Sequence, residues 1–395
     1  MLHRLAHSAR VNVFESARFY FWVLISLTIH LVVRHSLIKY SALNLEPEWG
    51  VSKVFTVLIY GSTYACCIIS AVFLKRNISK LFLYTWLIIC SISAFNEFNF
   101  IIKNPEGYHL IESFSEGQGF RNIQITLPVL FLGVWESIDR SNSFTQIFLK
   151  IIYKITLLNS ACVFIGVIFD ISFFESYQMS GRWGYSGVLS RVYSVILSSI
   201  FLIEAFKKNV RFNYKKLLLT TALLCSGTKA GLLSFGLILF IVFIKSHLLR
   251  IIIAALFVTL LSAYTKWISL VVGFSPFWKN IYENYGAMGL LSSLRSENLI
   301  YLSEHFEKNL SALHVLIGGR FRSEELQVEI LPVDLFLYYG IVGLIIFMLF
   351  FIKLIPSWRN SIPLLVACLS GSIITGPFSF LVWGLWCLKN GKRNY

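Results

Sequence analysis

The residues best suited to handle a charged substrate gather near the end of the longest polar segment in the chain, residues 273–331. Gly318-Gly319 gives a turn, and Arg320 and Arg322 follow it at once. Glu329 and Asp334 then flank Pro332, which fixes the entry to a new apolar helix. Two cations and two carboxylates thus converge where polar sequence meets membrane-grade sequence. That combination suits a substrate that is part lipid and part polar.

Other groups add to this set. In 290–310, Leu291, Leu299, Leu302 and Phe306 share a helical stripe with Arg295 at its middle. A guanidinium on an inward face needs an anion beside it, either a ligand or a protein carboxylate such as Glu329. The run SGTKAGLL at 226–233 places Ser226 or Thr228 to cap a helix whose free amides, with Lys229, attract phosphate oxygens. A snorkelling lysine at a polar turn is the plainer reading of the same residues. Arg182 lies in a loop, and Arg191 is expected one to two turns into the following span, where an arginine is costly unless it works or is paired. His305 and His314 read as hydrogen-bonded fillers, and Glu97, Glu112 and Glu116 as loop carboxylates.

The elements that must position these groups are membrane helices. Over 395 residues, 56% are hydrophobic and only 14% charged, which excludes an ordinary soluble domain. Apolar runs of membrane-spanning length recur along the chain. The net charge of +15 is distributed in short clusters between these runs, as in loops that orient a membrane protein, and not as a nucleic-acid surface. All seven cysteines fall inside apolar runs, so they read as packing residues and not as metal ligands or disulfides.

The runs predict spans at about 19–33, 53–74, 81–95, 122–137, 151–170 and 187–206. The cluster KKNVRFNYKK at 207–216 marks a cytoplasmic loop. The stretch 217–244 is too long for one span and is broken at SGTK, so it reads as two short spans meeting at an outward-facing turn. Further spans follow at 251–272 and 333–353, with a second tight pair at 361–388. The first span has no cleavage site behind it and reads as retained. The expectation is an all-α polytopic protein of about 12 transmembrane helices. It forms one integral membrane domain over 1–395, with 273–331 as a large periplasmic loop and both termini cytoplasmic.

Three stretches resemble the bacterial O-antigen polymerase (Wzy) and O-antigen ligase superfamily. These are CSGTKAGLLSF, SSLRSENLIYL and LIGGRFRSEELQVEILPVDLFLYYGIVGLIIF, and RWGYSGVLSR occupies the place of an earlier arginine-bearing loop. The resemblance implies a GT-C-like glycosyltransferase of the bacterial inner membrane that uses oligosaccharides linked to undecaprenyl diphosphate. It implies a flippase and a chain-length regulator as partners and no cofactor. The ligase branch carries a histidine before the span after its large loop, where this chain reads VEILPVD; the polymerase is therefore the expected branch. An Arg-to-Gly signature known from some polymerases is absent.

The reaction needs fixed positive charge on a diphosphate leaving group and a base at the acceptor hydroxyl. Arg182, Arg191, Lys229, Arg295, Arg320 and Arg322 are the expected diphosphate and substrate contacts, without a metal. Glu329 and Asp334 are the expected bases. A ligase is the alternative, and a flippase or carrier a more distant one, because a carrier would hold its polar groups at mid-membrane and not in one external loop.

Overall fold

A computed structural model describes residues 2–44, 50–73, 78–103, 118–139, 141–177, 183–209, 211–243, 251, 255, 276–292, 299–300, 311–319, 330–370 and 376–391. The described part is almost wholly helical, with one isolated antiparallel bridge, Glu175 to Tyr185. We number the helices α1 (Leu2–Asn44), α2 (Gly50–Phe73), α3 (Lys80–Lys103), α4 (Gln118–Ile138) and α5 (Ser143–Phe169). Then come α6 (Arg191–Lys208), α7 (Tyr214–Leu224), α8 (Lys229–Phe243), α9 (Pro276–Ser292) and α10 (Ala312–Ile317). The last three are α11 (Leu331–Leu354), α12 (Ile362–Ser370) and α13 (Pro377–Gly391).

Among the described residues, four helices are long and apolar enough to cross a membrane: Ser16–Ser41, Lys80–Asn99, Ser143–Phe169 and Leu331–Leu354. Thr56–Val72, Ile123–Ile138 and Lys229–Phe240 are apolar but shorter. Large apolar side chains such as Leu158, Phe169 and Ile352, each about 70% exposed, stand on the outer faces. An aqueous surface would not favour that pattern; lipid does.

The expected spans coincide closely with helices, and 217–244 divides as expected into α7 and α8. The span expected at 251–272 lies almost wholly outside the described residues. Two boundaries differ. The first helix runs far past 19–33 on both sides, because nothing in 2–44 breaks it. Glu97 belongs to α3 and not to a loop, since its apolar neighbours carry the helix on to Lys103.

Helix α4 forms the centre, with every residue from Leu127 to Trp135 buried and Gly133 pressed against Phe82. It packs against α2, α3 and α13. Close approach is made possible by missing side chains: a Cβ on Gly133 would fall 2.7 Å from Phe82 Cβ, and one on Gly384 2.3 Å from Leu132 Cδ1. An aromatic set of Phe350, Phe351, Phe380 and Trp383 fills the space between α11 and α13. The buried indole of Trp383 donates to Asn360 O at 2.9 Å.

Side-chain pairings fix helix directions. Tyr20 Oη reaches Ser70 Oγ, and His30 meets Thr56, so α1 and α2 are antiparallel. Tyr64 meets Thr126 and Tyr20 meets Phe131, which runs α4 alongside α2 in the same direction. Gly133 on Phe82 then sets α3 antiparallel to α4. Phe82 with Phe350 and Asn96 with Tyr338 set α11 antiparallel to α3. The C-terminal halves of α1 and α3 and the start of α11 therefore share one end of the bundle.

Candidate functional site

That end is built around a buried lysine. Lys39 sits near the end of α1, 8% exposed, and its amine donates to Glu175 O at 3.1 Å, Ser186 Oγ at 2.9 Å and Gly187 O. Three acceptors satisfy an ammonium that would otherwise be costly to bury. The loop that supplies them, from Asp170 to Ser190, is held from below by Asn159 of α5. Its Nδ2 donates to Ser186 O (3.0 Å) and Ser194 Oγ (3.1 Å), and its Oδ1 accepts from the amides of Val188 (2.8 Å) and Leu189 (2.9 Å). All the hydrogen-bonding capacity of this buried amide is used.

The same loop is locked to the turn between α7 and α8. The amide of Tyr185 donates to Cys225 O at 2.7 Å, and Ser176 Oγ donates to Ser226 O at 3.1 Å. Gly184 and Gly227 lie Cα against backbone; a Cβ on Gly227 would fall 2.2 Å from Trp183 O. Thr228 caps α8, its Oγ1 accepting from Gly231 N at 3.0 Å while facing Ser226 Oγ at 2.9 Å.

Of the residues expected from sequence, Arg191 and Lys229 join this assembly. Arg191 opens α6 and is exposed, with its guanidinium 4.7 Å from the centre of the Tyr177 ring, a cation–π stack. It does not lie one to two turns inside a span, because Gly187 and the Asn159 contacts hold the chain out of helix until Ser190. Tyr177 is next to Ser176, which bonds the turn three residues before the start of α8 at Lys229. Lys229 is half-buried at that start. Asp334 lies at the same end in a separate packing. It is buried in the first turn of α11, where α11 meets α3 and α10. Arg182, Arg295, Arg320, Arg322 and Glu329 lie outside the described residues, as do Glu112, Glu116 and His305. His314 falls in α10 and is held near Ser311.

Sequence reasoning passed over a second set of cations, on α1. Arg34 and His35 have buried nitrogens, Nε and Nε2, with no hydrogen-bond partner among the described residues. The His35 ring lies 5.3 Å from that of Tyr193, two residues after Arg191. Arg34 interacts electrostatically with both Tyr60 and Tyr193. His30, Arg34, His35 and Lys39 are four basic or ionisable residues in ten positions of an apolar helix. That density is itself the signal, since such residues at membrane depth are expensive unless used.

In the loop, burial raises the pKa of the Glu175 carboxyl above its ordinary value; Asp170 adds to the shift and Lys39 opposes it. Tyr185 is pushed up to about 12 by burial and by its hydroxyl donating to Asp170. This end therefore offers fixed cations, neutral phenols, and one buried carboxylate at the start of α11. Such a set has the chemistry to hold an anion.

No family model matches the chain, and no curated protein or solved structure is significantly similar to it.

Proposed function

We propose that the chain is a polysaccharide polymerase of the bacterial inner membrane, joining oligosaccharide repeats carried on undecaprenyl diphosphate. In this reading the chain crosses the membrane about twelve times, both termini are cytoplasmic, and 273–331 lies in the periplasm with the Lys39 end of the bundle. The observation that carries it is the buried Nε of Arg34, which has no hydrogen-bond partner among the described residues, on the same end as Arg191 and Lys229. A guanidinium nitrogen buried without an anion beside it suits an anionic ligand that arrives from outside the protein.

The acceptor hydroxyl attacks the anomeric carbon of the lipid-linked donor, and the bond to the diphosphate oxygen breaks. Arg34, Arg191 and Lys229, with the loop arginines Arg182, Arg295, Arg320 and Arg322, stabilise the charge that develops on the departing undecaprenyl diphosphate. Asp334 or Glu329 takes the hydroxyl proton. A flippase delivering the repeats and a chain-length regulator are the expected partners.

Deleting the gene tests the reading. A polymerase deletion leaves single repeat units on lipid A-core, because ligation is intact. Bare core with undecaprenyl-linked polymer accumulating would identify a ligase, and unaltered surface polysaccharide would exclude both.

A further inference from the structure

At the opposite end of the bundle, α5, α6, α7 and α13 and the turn before α12 surround a cavity of about 730 Å³. Six lysines line it, against one carboxylate, Glu204. Glu204 is already committed. It accepts from Trp386 Nε1 at 3.2 Å and pairs with Lys389 at 3.5 Å and Lys207 at 3.9 Å. Lys216, 1% exposed, directs its amine to the carbonyls of Asn209 and Arg211. That leaves Lys150, Lys208 and Lys215, with no carboxylate in ion-pair range among the described residues; Lys215 only faces the Tyr214 ring at 5.6 Å.

An independent observation points into the same space. Asn360 lines the cavity and is wholly buried. Its Oδ1 accepts from Ser357 at 2.7 Å, but its Nδ2 has no hydrogen-bond partner beyond the approach of the Cys387 thiol. Asn390, also on the wall, has a buried Nδ2 with no hydrogen-bond partner among the described residues. Surplus cations and two under-used buried amide donors around one cavity describe a binding site for a multidentate oxyanion. Basic pockets between membrane helices take phospholipid headgroups, and this volume falls in the range of small-ligand pockets, roughly 300–1,000 Å³.

We infer that this cavity binds a phosphate group, which anionic phospholipid headgroups and free phosphate both present. The inference does not depend on the catalytic reading above.

The test is a thermal-shift titration of the purified full chain in neutral detergent. The probes are short-chain phosphatidylglycerol, short-chain phosphatidylcholine and inorganic phosphate. A saturable stabilisation by phosphatidylglycerol and not by phosphatidylcholine is expected. A comparable response to inorganic phosphate would assign the site to the free anion. The variant Lys150→Gln/Lys208→Gln/Lys215→Gln should move the phosphatidylglycerol midpoint by roughly 100-fold, at about a factor of five for each lysine. Lys80→Gln/Lys353→Gln, away from the cavity, should leave it in place. No saturable response to either phosphate probe would overturn the inference, as would equal responses of the two variants. If the triple variant fails to fold, the wild-type titration decides alone.

Discussion

Gly318 and Gly340 meet backbone to backbone: a Cβ on Gly340 would fall 2.4 Å from Gly318 N, and one on Gly318 2.5 Å from the carbonyl of Tyr338. Both take the same glycine-only conformation, φ 74°, ψ −166° and φ 64°, ψ −168°. Gly340 breaks α11 there, and Gly318 ends α10. The carbonyls left over are collected by Asn96 Nδ2, which donates to Ile317 O at 3.0 Å and Tyr338 O at 3.3 Å. The Gly318-Gly319 turn is thus fixed in place and not merely permissive, and it sets the position of the first turn of α11 with Asp334.

Gly340→Ala should therefore cost more than about 3 kcal/mol, combining a forbidden backbone region with a backbone clash. Gly61→Ala in α2, where nothing lies within 4 Å of the new Cβ, should gain about 0.5–1 kcal/mol. Melting temperatures in detergent check the contrast. Equal effects would mean the two backbones do not meet.

Lys39→Met keeps the apolar stem and removes the amine, stranding Glu175 O and Gly187 O. Each stranded buried acceptor costs about 1–3 kcal/mol, so the melting temperature should fall clearly. Proteolysis should open the chain first between 170 and 190. A variant as protease-resistant as wild type would show that the loop does not depend on this amine.

If the chain polymerises lipid-linked repeats as proposed, Arg34→Ala should reduce polymer formation by at least about 100-fold while the protein still reaches the membrane. Arg34→Lys should restore only part, since a point charge cannot offer a two-pronged contact to phosphate. Measuring chain-length distribution on surface polysaccharide decides it; full-length polymer from the Ala variant removes Arg34 from the mechanism.

Glu175 carries a pKa raised in the folded state, so its ionised form weighs against the fold. Stability from this residue falls as pH rises through the raised value and returns on acidification. Glu175→Gln should thus raise the melting temperature at pH 7.5, and the advantage should vanish by about pH 4, near the ordinary carboxylate value. A gain that persists at low pH would have another origin.

Helix positions were legible because apolar runs and basic clusters alternate along the chain, and the SGTK break gave the α7–α8 turn directly. Residue type offered Ser226 or Thr228 as the cap of α8, and the structure selects Thr228. The α1 cations were not anticipated, because what makes them a site is their neighbours. Lys39 meets residues 136 and 148 positions away, and His35 meets Tyr193, 158 positions away. No periodicity within one helix encodes such distances. The Glu97 boundary failed for a different reason: polar residues in NEFNF outweighed a helix that tertiary packing of Asn96 carries through.

The Lys39 contacts also bear on how the chain is made. Its amine enters the membrane region with the first helix, while the first of its acceptors to be made, Glu175 O, is synthesised 136 residues later. At a synthesis rate of roughly 5–20 residues per second, that interval is on the order of ten seconds. Through it the amine stays hydrated only by reaching toward the interface, which draws the first helix to a shallower seat. Its final depth is set when the 170–190 loop arrives, so α1 settles only after much of the chain behind it has been made.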